Sequence, residues 1–346
     1  MSSQIRVLVV DDSTLVRKIV TDILEADPEI TVVGTANNGK TAIFRNQELN
    51  PDVITMDIEM PILDGLAALK HIMSTNPKPV IMMSVLTQHG ADATFKALEH
   101  GAVDFIPKPS TLLSMTVEEI GSQLITKIKT AYKSKVAALT TRTADSAQSI
   151  PLSESKSKSD KIVAIGTSTG GPSALINVFN KFTPNFPSPV LVVQHMPEGF
   201  TAAFSKRLND SSELKVKEGE DGDDVLPGHG YVAPGHSHMR IVKKGGGFKL
   251  KVYNAEKVSG HRPSIDVLFN SFAEEVGDKS IGVIMTGMGR DGAEGLLKIK
   301  KSGGYTIAQN EDTSVVFGMN RVAVEYGAVN EVVPLDDITL KILRRI

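Results

Sequence analysis

Two sets of residues in this chain are of types that do chemistry, and both fall where apolar runs end. Near the start, Asp11 and Asp12 follow Ile5 to Val10, Asp57 follows Val53 to Met56, Ser84 follows Val80 to Met83, and Lys108 follows Asp104 to Ile106. Runs of this kind read as buried strands. Alternating with amphipathic stretches, they predict a parallel sheet whose carboxyl ends share one edge. Three carboxylates meeting at that edge make a hard, oxygen-rich site suited to Mg²⁺. With the metal offsetting its charge, Asp57 is placed to attack a phosphoryl donor, while the Ser84 hydroxyl and Lys108 ammonium hold phosphoryl oxygens. Each residue alone also has an ordinary reading, Asp11 and Asp12 as helix caps and Lys108 as a solvated charge beside two prolines. Their shared position at strand ends is what favours a site.

The second set begins with Gly166-Thr167-Ser168-Thr169-Gly170-Gly171-Pro172, directly after the run Lys161 to Ile165 and before a helical pattern from Ser173. Glycines two before and two after a serine permit the sharp strand-to-helix turn that lifts a nucleophilic hydroxyl clear of a sheet, and proline suits a first helical turn. Free backbone N–H groups of the helix start would point to the same place. A structural turn or a phosphate cradle would look similar, although neither G-x-G-x-x-G nor Gly-Lys-Ser/Thr is present. A nucleophilic serine needs a base and an orienting acid. His195 follows Val190 to Gln194, and Asp291 lies in the glycine-rich stretch Thr286 to Gly292 after Ile281 to Met285. All three are expected on one sheet edge. Their order, Ser-His-Asp, differs from that of the familiar hydrolase folds. The ordinary readings are a hydrogen-bonded loop histidine and an aspartate capping a helix near Ala293.

The elements that must position these residues divide into two domains, as a chain of 346 residues allows. The expected division is 1–131, a linker over 132–159, and 160–346. Both domains are expected to be doubly wound α/β, the first flavodoxin-like and the second Rossmann-like. The linker reading rests on Ser, Thr, Lys and Ala, with Ser153, Ser155, Ser157 and Ser159 alternating with charges. Met239 to Val242 and Phe248 to Val252 flank three glycines, an expected hairpin. A net charge of −2 leaves no electrostatic footprint for nucleic acid. The absence of cysteine excludes disulfides, thiolate metal sites and a cysteine nucleophile, and fits a cytoplasmic protein. Met1 to Val10 reads as a strand rather than a signal peptide, and no segment has the apolar length to span a bilayer.

The first segment resembles a response-regulator receiver domain, through VLVVDDS, TMDIEMPILDG and DFIPKP. The resemblance implies phosphorylation of Asp57 by a histidine kinase, Mg²⁺ held by Asp11, Asp12, Asp57 and the Glu59 carbonyl, and phosphate contacts from Ser84 and Lys108. Phe105 sits where receivers often carry an aromatic switch, though an aromatic at a strand end is also ordinary core. Further on, AIGTSTGGP, VVQHMP, YVAPGHSHM, HRPSIDVLF, GVIMTGMGRDGA and VVFGMNRVA resemble the catalytic domain of CheB-type protein-glutamate methylesterases. That implies Ser168 as nucleophile, His195 as general base, Asp291 as orienting acid, and Thr169 with the Met288 backbone on the oxyanion side. It also implies that methyl-accepting chemotaxis receptors are the substrates, met by peripheral association, with no cofactor for the ester chemistry. His236 stands where that family commonly has an acidic residue.

Two alternatives stay open on the residues alone: a hydrolase for another acyl substrate, and a receiver joined to a non-enzymatic phosphate- or cofactor-binding module. His229, His236, His238 and His261 form a further group, in turn-rich surroundings and at no recognised zinc spacing, expected to line loops or a cleft. Arg290, beside Asp291, is either a contact for an acidic substrate or a solvated charge.

Overall fold

The computed structural model describes residues 4–85, 87–108, 116–134 and 159–346, so the expected linker falls almost wholly outside the described residues. The chain divides into two compact units, Met1–Thr143 and Ala144–Ile346. Among the described residues no helix is long and apolar enough to cross a membrane.

The first unit alternates strand and helix: β1 Ile5–Val10, α1 Thr14–Glu25, β2 Ile30–Ala36, α2 Gly39–Leu49, β3 Val53–Asp57, α3 Gly65–Thr75, β4 Val80–Ser84, α4 Gln88–Glu99, β5 Asp104–Pro107 and α5 Val117–Tyr132. The strands pair in parallel in the order β2-β1-β3-β4-β5. Both faces of β3 and β4 are covered, every residue being buried, which is why those strands read as unbroken apolar runs rather than alternations. Side-chain caps start the helices: Ser13 accepts from Val16 N, Asn38 from Thr41 N and Asp64 from Ala67 N, while Thr116 and Glu119 make a capping box. Because β1 lies between β2 and β3, the strand order reverses between β1 and β3. The crevice at that reversal receives the residues that follow them, Asp11, Asp12 and Asp57.

The second unit comprises β6 Ile162–Thr167, α6 Gly171–Phe179, β7 Val190–Gln194, α7 Phe200–Asp210, β8 Lys215–Glu218, β9 His229–Val232, β10 His238–Lys244, β11 Gly247–Tyr253, α8 Ile265–Glu275, β12 Ser280–Ile284, α9 Ala293–Lys301, β13 Tyr305–Gln309, α10 Met319–Glu325, β14 Glu331–Val333 and α11 Ile338–Leu343. Seven strands form a parallel sheet in the order β14-β13-β12-β6-β7-β9-β8, and β10 pairs with β11 as the expected antiparallel hairpin. Phe269 and Phe272 of α8, both fully buried, pack with Leu296 and Ile299 of α9 and with Ile162 and Ala164 of β6 in one apolar cluster. That burial fixes the two helices on the sheet; truncating such a phenylalanine typically costs about 3–5 kcal/mol. The strand order reverses at β6, so the loops after β6, β7 and β12 meet at the crevice.

Candidate functional site

Ser168 directly follows β6, His195 directly follows β7, and Asp291 lies in the loop joining β12 to α9. Backbone bonds hold the first two loops to their neighbours: Ser168 N donates to the Thr286 carbonyl (3.0 Å) and His195 N to the Thr167 carbonyl (3.1 Å). Gly170, at φ 75°, makes the left-handed turn into α6, where a side chain would be strained. Gly287 matters for another reason: it comes so close to the loop after β6 that an added Cβ would lie 2.7 Å from the Ser168 Cβ.

His195 and Asp291 form a close pair, Nε2 to Oδ2 at 2.8 Å, with side chains 8% and 1% exposed. Nε2–H is therefore the donor to the carboxylate, and Nδ1 carries the lone pair. Among the described residues that buried Nδ1 has no hydrogen-bond partner, so it is available to take a proton. Asp291 is held by four donors. Oδ1 accepts from the Ser264 hydroxyl (2.8 Å) and Asp266 N (3.0 Å), and Oδ2 from Ile265 N (2.8 Å) and His195. Burial pushes the carboxyl upward, but His195 and the backbone N–H groups at the start of α8 outweigh it and hold it down to about 2. Asp291 thus stays ionised where an unsupported carboxylate would not. The aspartate accepts from the first N–H groups of α8, whose N-cap is Ser264; the helix near Ala293, for which capping was the ordinary reading, has Gly292 at its cap, with no side-chain bond among the described residues.

Thr169 is buried, and its carbonyl accepts from the Thr286 hydroxyl (2.9 Å). Met288 is exposed, in a loop tied down by Gly318 N and Met319 N, both donating to the Gly287 carbonyl. Arg290 is exposed beside Asp291.

The four histidines separate into different roles. His261 stacks on His195, with ring centroids 3.7 Å apart and planes 8° from parallel. His238 is buried, accepting from Ser264 N on Nδ1 and facing the Glu256 carbonyl with Nε2. His229 bonds the Pro227 carbonyl, and His236 lies 3.9 Å from exposed Glu198. Among the described residues, the acidic cluster of the first unit is the only group of three or more such side chains disposed to hold a metal ion. Sequence reasoning missed the site roles of Gln194, Ser264, Asp266 and the His261 stack. The HRPSIDVLF segment, which places three of these four, carried a signal only as a resemblance.

In the first unit, carboxylate oxygens of Asp11, Asp12 and Asp57 lie within 4.8 Å of one another. Lys108 bridges two of them, its Nζ 2.9 Å from Asp11 and 2.7 Å from Asp57. Burial raises Asp57 to about 6 against the pull of Lys108, and the Asp11 charge adds to the rise. An oxygen-only set that leaves one carboxylate, that of Asp57, reluctant to ionise fits a hard divalent cation. Glu59 N donates to Asp57 Oδ1 at 3.3 Å. The Ser84 hydroxyl bonds to Gly90 O (3.2 Å) and accepts from Thr94 (2.8 Å). Phe105 is 3% exposed and packs edge-on to Phe95.

Comparison with known proteins agrees with this architecture. The family described as CheB methylesterase matches residues 163–342, and the response regulator receiver domain matches residues 7–118. Curated relatives that carry the name protein-glutamate methylesterase/protein-glutamine glutaminase include two at 47% identity. The one from Pyrococcus abyssi is 47% identical over 99% of this chain and 94% of its own length, and the one from Sulfurimonas denitrificans is 47% identical over 98% and 97%. The crystal structure of the Thermotoga maritima CheB methylesterase catalytic domain is 42% identical, covers 54% of this chain and 98% of its own, and superposes with a TM-score of 0.53. With a family match over more than half its length and full-length relatives at this identity, the chain belongs to the CheB methylesterase family, with a response regulator receiver domain in front.

Proposed function

We propose that this protein is a phosphorylation-activated esterase of chemotaxis, which hydrolyses glutamyl methyl esters on methyl-accepting receptors and converts receptor glutamines to glutamates. The observation that carries the chemistry is the His195–Asp291 pair, with a buried ring nitrogen left open on the side away from the acid. Ser168 Oγ attacks the ester carbonyl carbon while its proton passes to Nδ1 of His195. The C–O bond to the methoxy group breaks, and that group leaves as methanol with the proton from Nδ1. Water then attacks the acyl-serine by the same route and frees the glutamate. A glutamine side chain follows the same course with ammonia as leaving group. Asp291 stabilises the imidazolium formed in each half-reaction without itself taking the proton, consistent with its low pKa. Backbone N–H groups at Thr169 and Met288 are assigned to the tetrahedral oxyanion, where donors fixed in advance contribute most.

In the receiver, Asp57 takes the phosphoryl group from a histidine kinase, and Lys108 and Ser84 hold its oxygens. Asp11, Asp12 and Asp57, with the Glu59 carbonyl, would hold Mg²⁺, which supplies the positive charge that lets Asp57 act as a carboxylate. The ester chemistry draws on protein groups alone, and the setting is cytoplasmic, at the receptor tails.

The test is Ser168→Ala. It should keep the wild-type melting temperature and lose methanol release from a methylated receptor fragment by at least about 10³-fold. Turnover at the wild-type rate would remove Ser168 as nucleophile.

A further inference from the structure

The proposed mechanism needs the Ser168 hydroxyl and the His195 ring in fixed register, yet the two residues end different strands. Among the described residues, Nδ1 of His195 makes no bond that would set that register. Gln194 does so from beneath. Its Nε2 donates to the Ser168 carbonyl and to the His195 carbonyl, both at 3.0 Å, and its Oε1 accepts from the Thr167 hydroxyl at 2.5 Å. Chemistry dictates that orientation: the two carbonyl oxygens can only accept, so they require the NH₂ group, which leaves the amide oxygen for the hydroxyl. The residue is 3% exposed, so water cannot readily replace the bonds if they are lost.

The neighbouring glycine fits the same arrangement. A Cβ at Gly171 would overlap both the Thr167 hydroxyl oxygen and the Gln194 amide oxygen. The two glycines after the nucleophile therefore do different things, Gly170 turning the chain and Gly171 making room for the amide. The Ser168 carbonyl accepts from Gly171 N as well (2.8 Å), so the turn and the amide share one anchor.

From this geometry we infer that Gln194 is a positioning residue, a buried clasp that ties the backbone of the nucleophile to the backbone of the base, with Thr167 as its anchor. The inference rests on the assignment of Ser168 and His195 given above and deepens it.

Gln194→Met in the full chain keeps the length of the side chain and removes both donor and acceptor. Three quantities are to be measured where the variant is folded: kcat and KM on a methylated receptor fragment, and the rate at which a fluorophosphonate labels Ser168. Ser280→Ala serves as a comparison, because it deletes a buried bond to the Phe272 carbonyl at the opposite end of the same sheet. The clasp predicts a fall in kcat of about tenfold or more and a parallel fall in labelling rate, with KM within about twofold, since small displacements of reacting groups cost this much or more. Ser280→Ala should lower the melting temperature and leave kcat alone. Wild-type kcat and labelling in folded Gln194→Met would overturn the inference, as would a rise in KM alone. If Gln194→Met does not fold, Thr167→Val, which removes only the anchoring hydroxyl, is judged by the same three numbers. Wild-type protein that takes up no label at Ser168 would instead refute the underlying assignment.

Discussion

Asp291 shows how much a single carboxylate can be asked to do. Its two oxygens accept from a hydroxyl, two backbone N–H groups and an imidazole. An asparagine has one oxygen for that set. Whichever way it turns, its NH₂ faces donors on one side, and an NH₂ toward His195 favours the tautomer with the proton on Nδ1, where the proposed base needs a lone pair. Asp291→Asn should therefore fold but lose about 10²–10⁴-fold in kcat, measured as methanol release at saturating receptor fragment. An undiminished rate would reduce Asp291 to an acceptor for the N–H groups that start α8. At this scale the types that do chemistry could be read directly from the sequence: Ser168, His195 and the acidic cluster stand at or near the ends of apolar runs, and Asp291 lies in the glycine-rich loop after one. Gln194, Ser264 and Asp266 could not, because an amide, a hydroxyl and a second acid inside a helix start are common everywhere, and only folding reveals what they touch.

The element that fixes the acid is the N-terminus of α8, and it brings a second carboxylate with it. Asp266, 7% exposed, accepts from Gly295 N at the start of α9 (2.8 Å) and adjoins Asp291. Burial, with the neighbouring Asp291 charge adding to it, raises Asp266 from its ordinary 3.8 to about 6. The two acids act on stability in opposite senses. Asp291, depressed to about 2, contributes stability that is present above pH about 4 and lost as pH falls toward 2. Asp266 binds its proton more tightly folded than unfolded, so stability declines as pH rises from about 4 to about 6 and stays lower beyond. Asp266→Asn keeps an acceptor for Gly295 N without the ionisation. It should raise the melting temperature of the full chain relative to wild type at pH 7.5 and change it little at pH 4.5. An equal difference at the two pH values would mean that Asp266 does not titrate in this window.

Strands were legible from sequence in the same uneven way. Val53–Asp57 and Ser280–Ile284 are covered on both faces and read as continuous apolar runs. Lys215–Glu218 and Glu331–Val333 are the outermost strands of the second sheet, short and partly exposed, and their lysines and glutamates mask any strand period. Charged, brief edges of this kind resist pairing with another chain, so the feature that hides them from sequence reading is one that keeps the sheet from extending.

At the scale of the whole molecule, chemistry and control are divided between the units. Among the described residues, Ser168, His195, Asp291 and the side chains bonded to them lie in the second unit, while Asp57, Lys108 and the acidic cluster lie in the first. A phosphoryl group on Asp57 would sit against the Lys108 ammonium, which now bridges Asp11 and Asp57. It must therefore rearrange that ion pair, and a shift in the receiver's conformational balance would carry the signal onward. Two consequences can be measured together on a receptor fragment at matched enzyme concentration. A fragment from Ser159 to Ile346 should hydrolyse the ester unaided, because no part of the proposed catalytic apparatus is missing, and should not respond to a small-molecule phosphodonor with Mg²⁺. Full-length protein should accelerate under the same treatment, and full-length Asp57→Ala should stay at its basal rate. An inactive fragment would mean that the receiver contributes to the active site itself, and an Asp57→Ala protein that still accelerates would place the phosphoacceptor elsewhere.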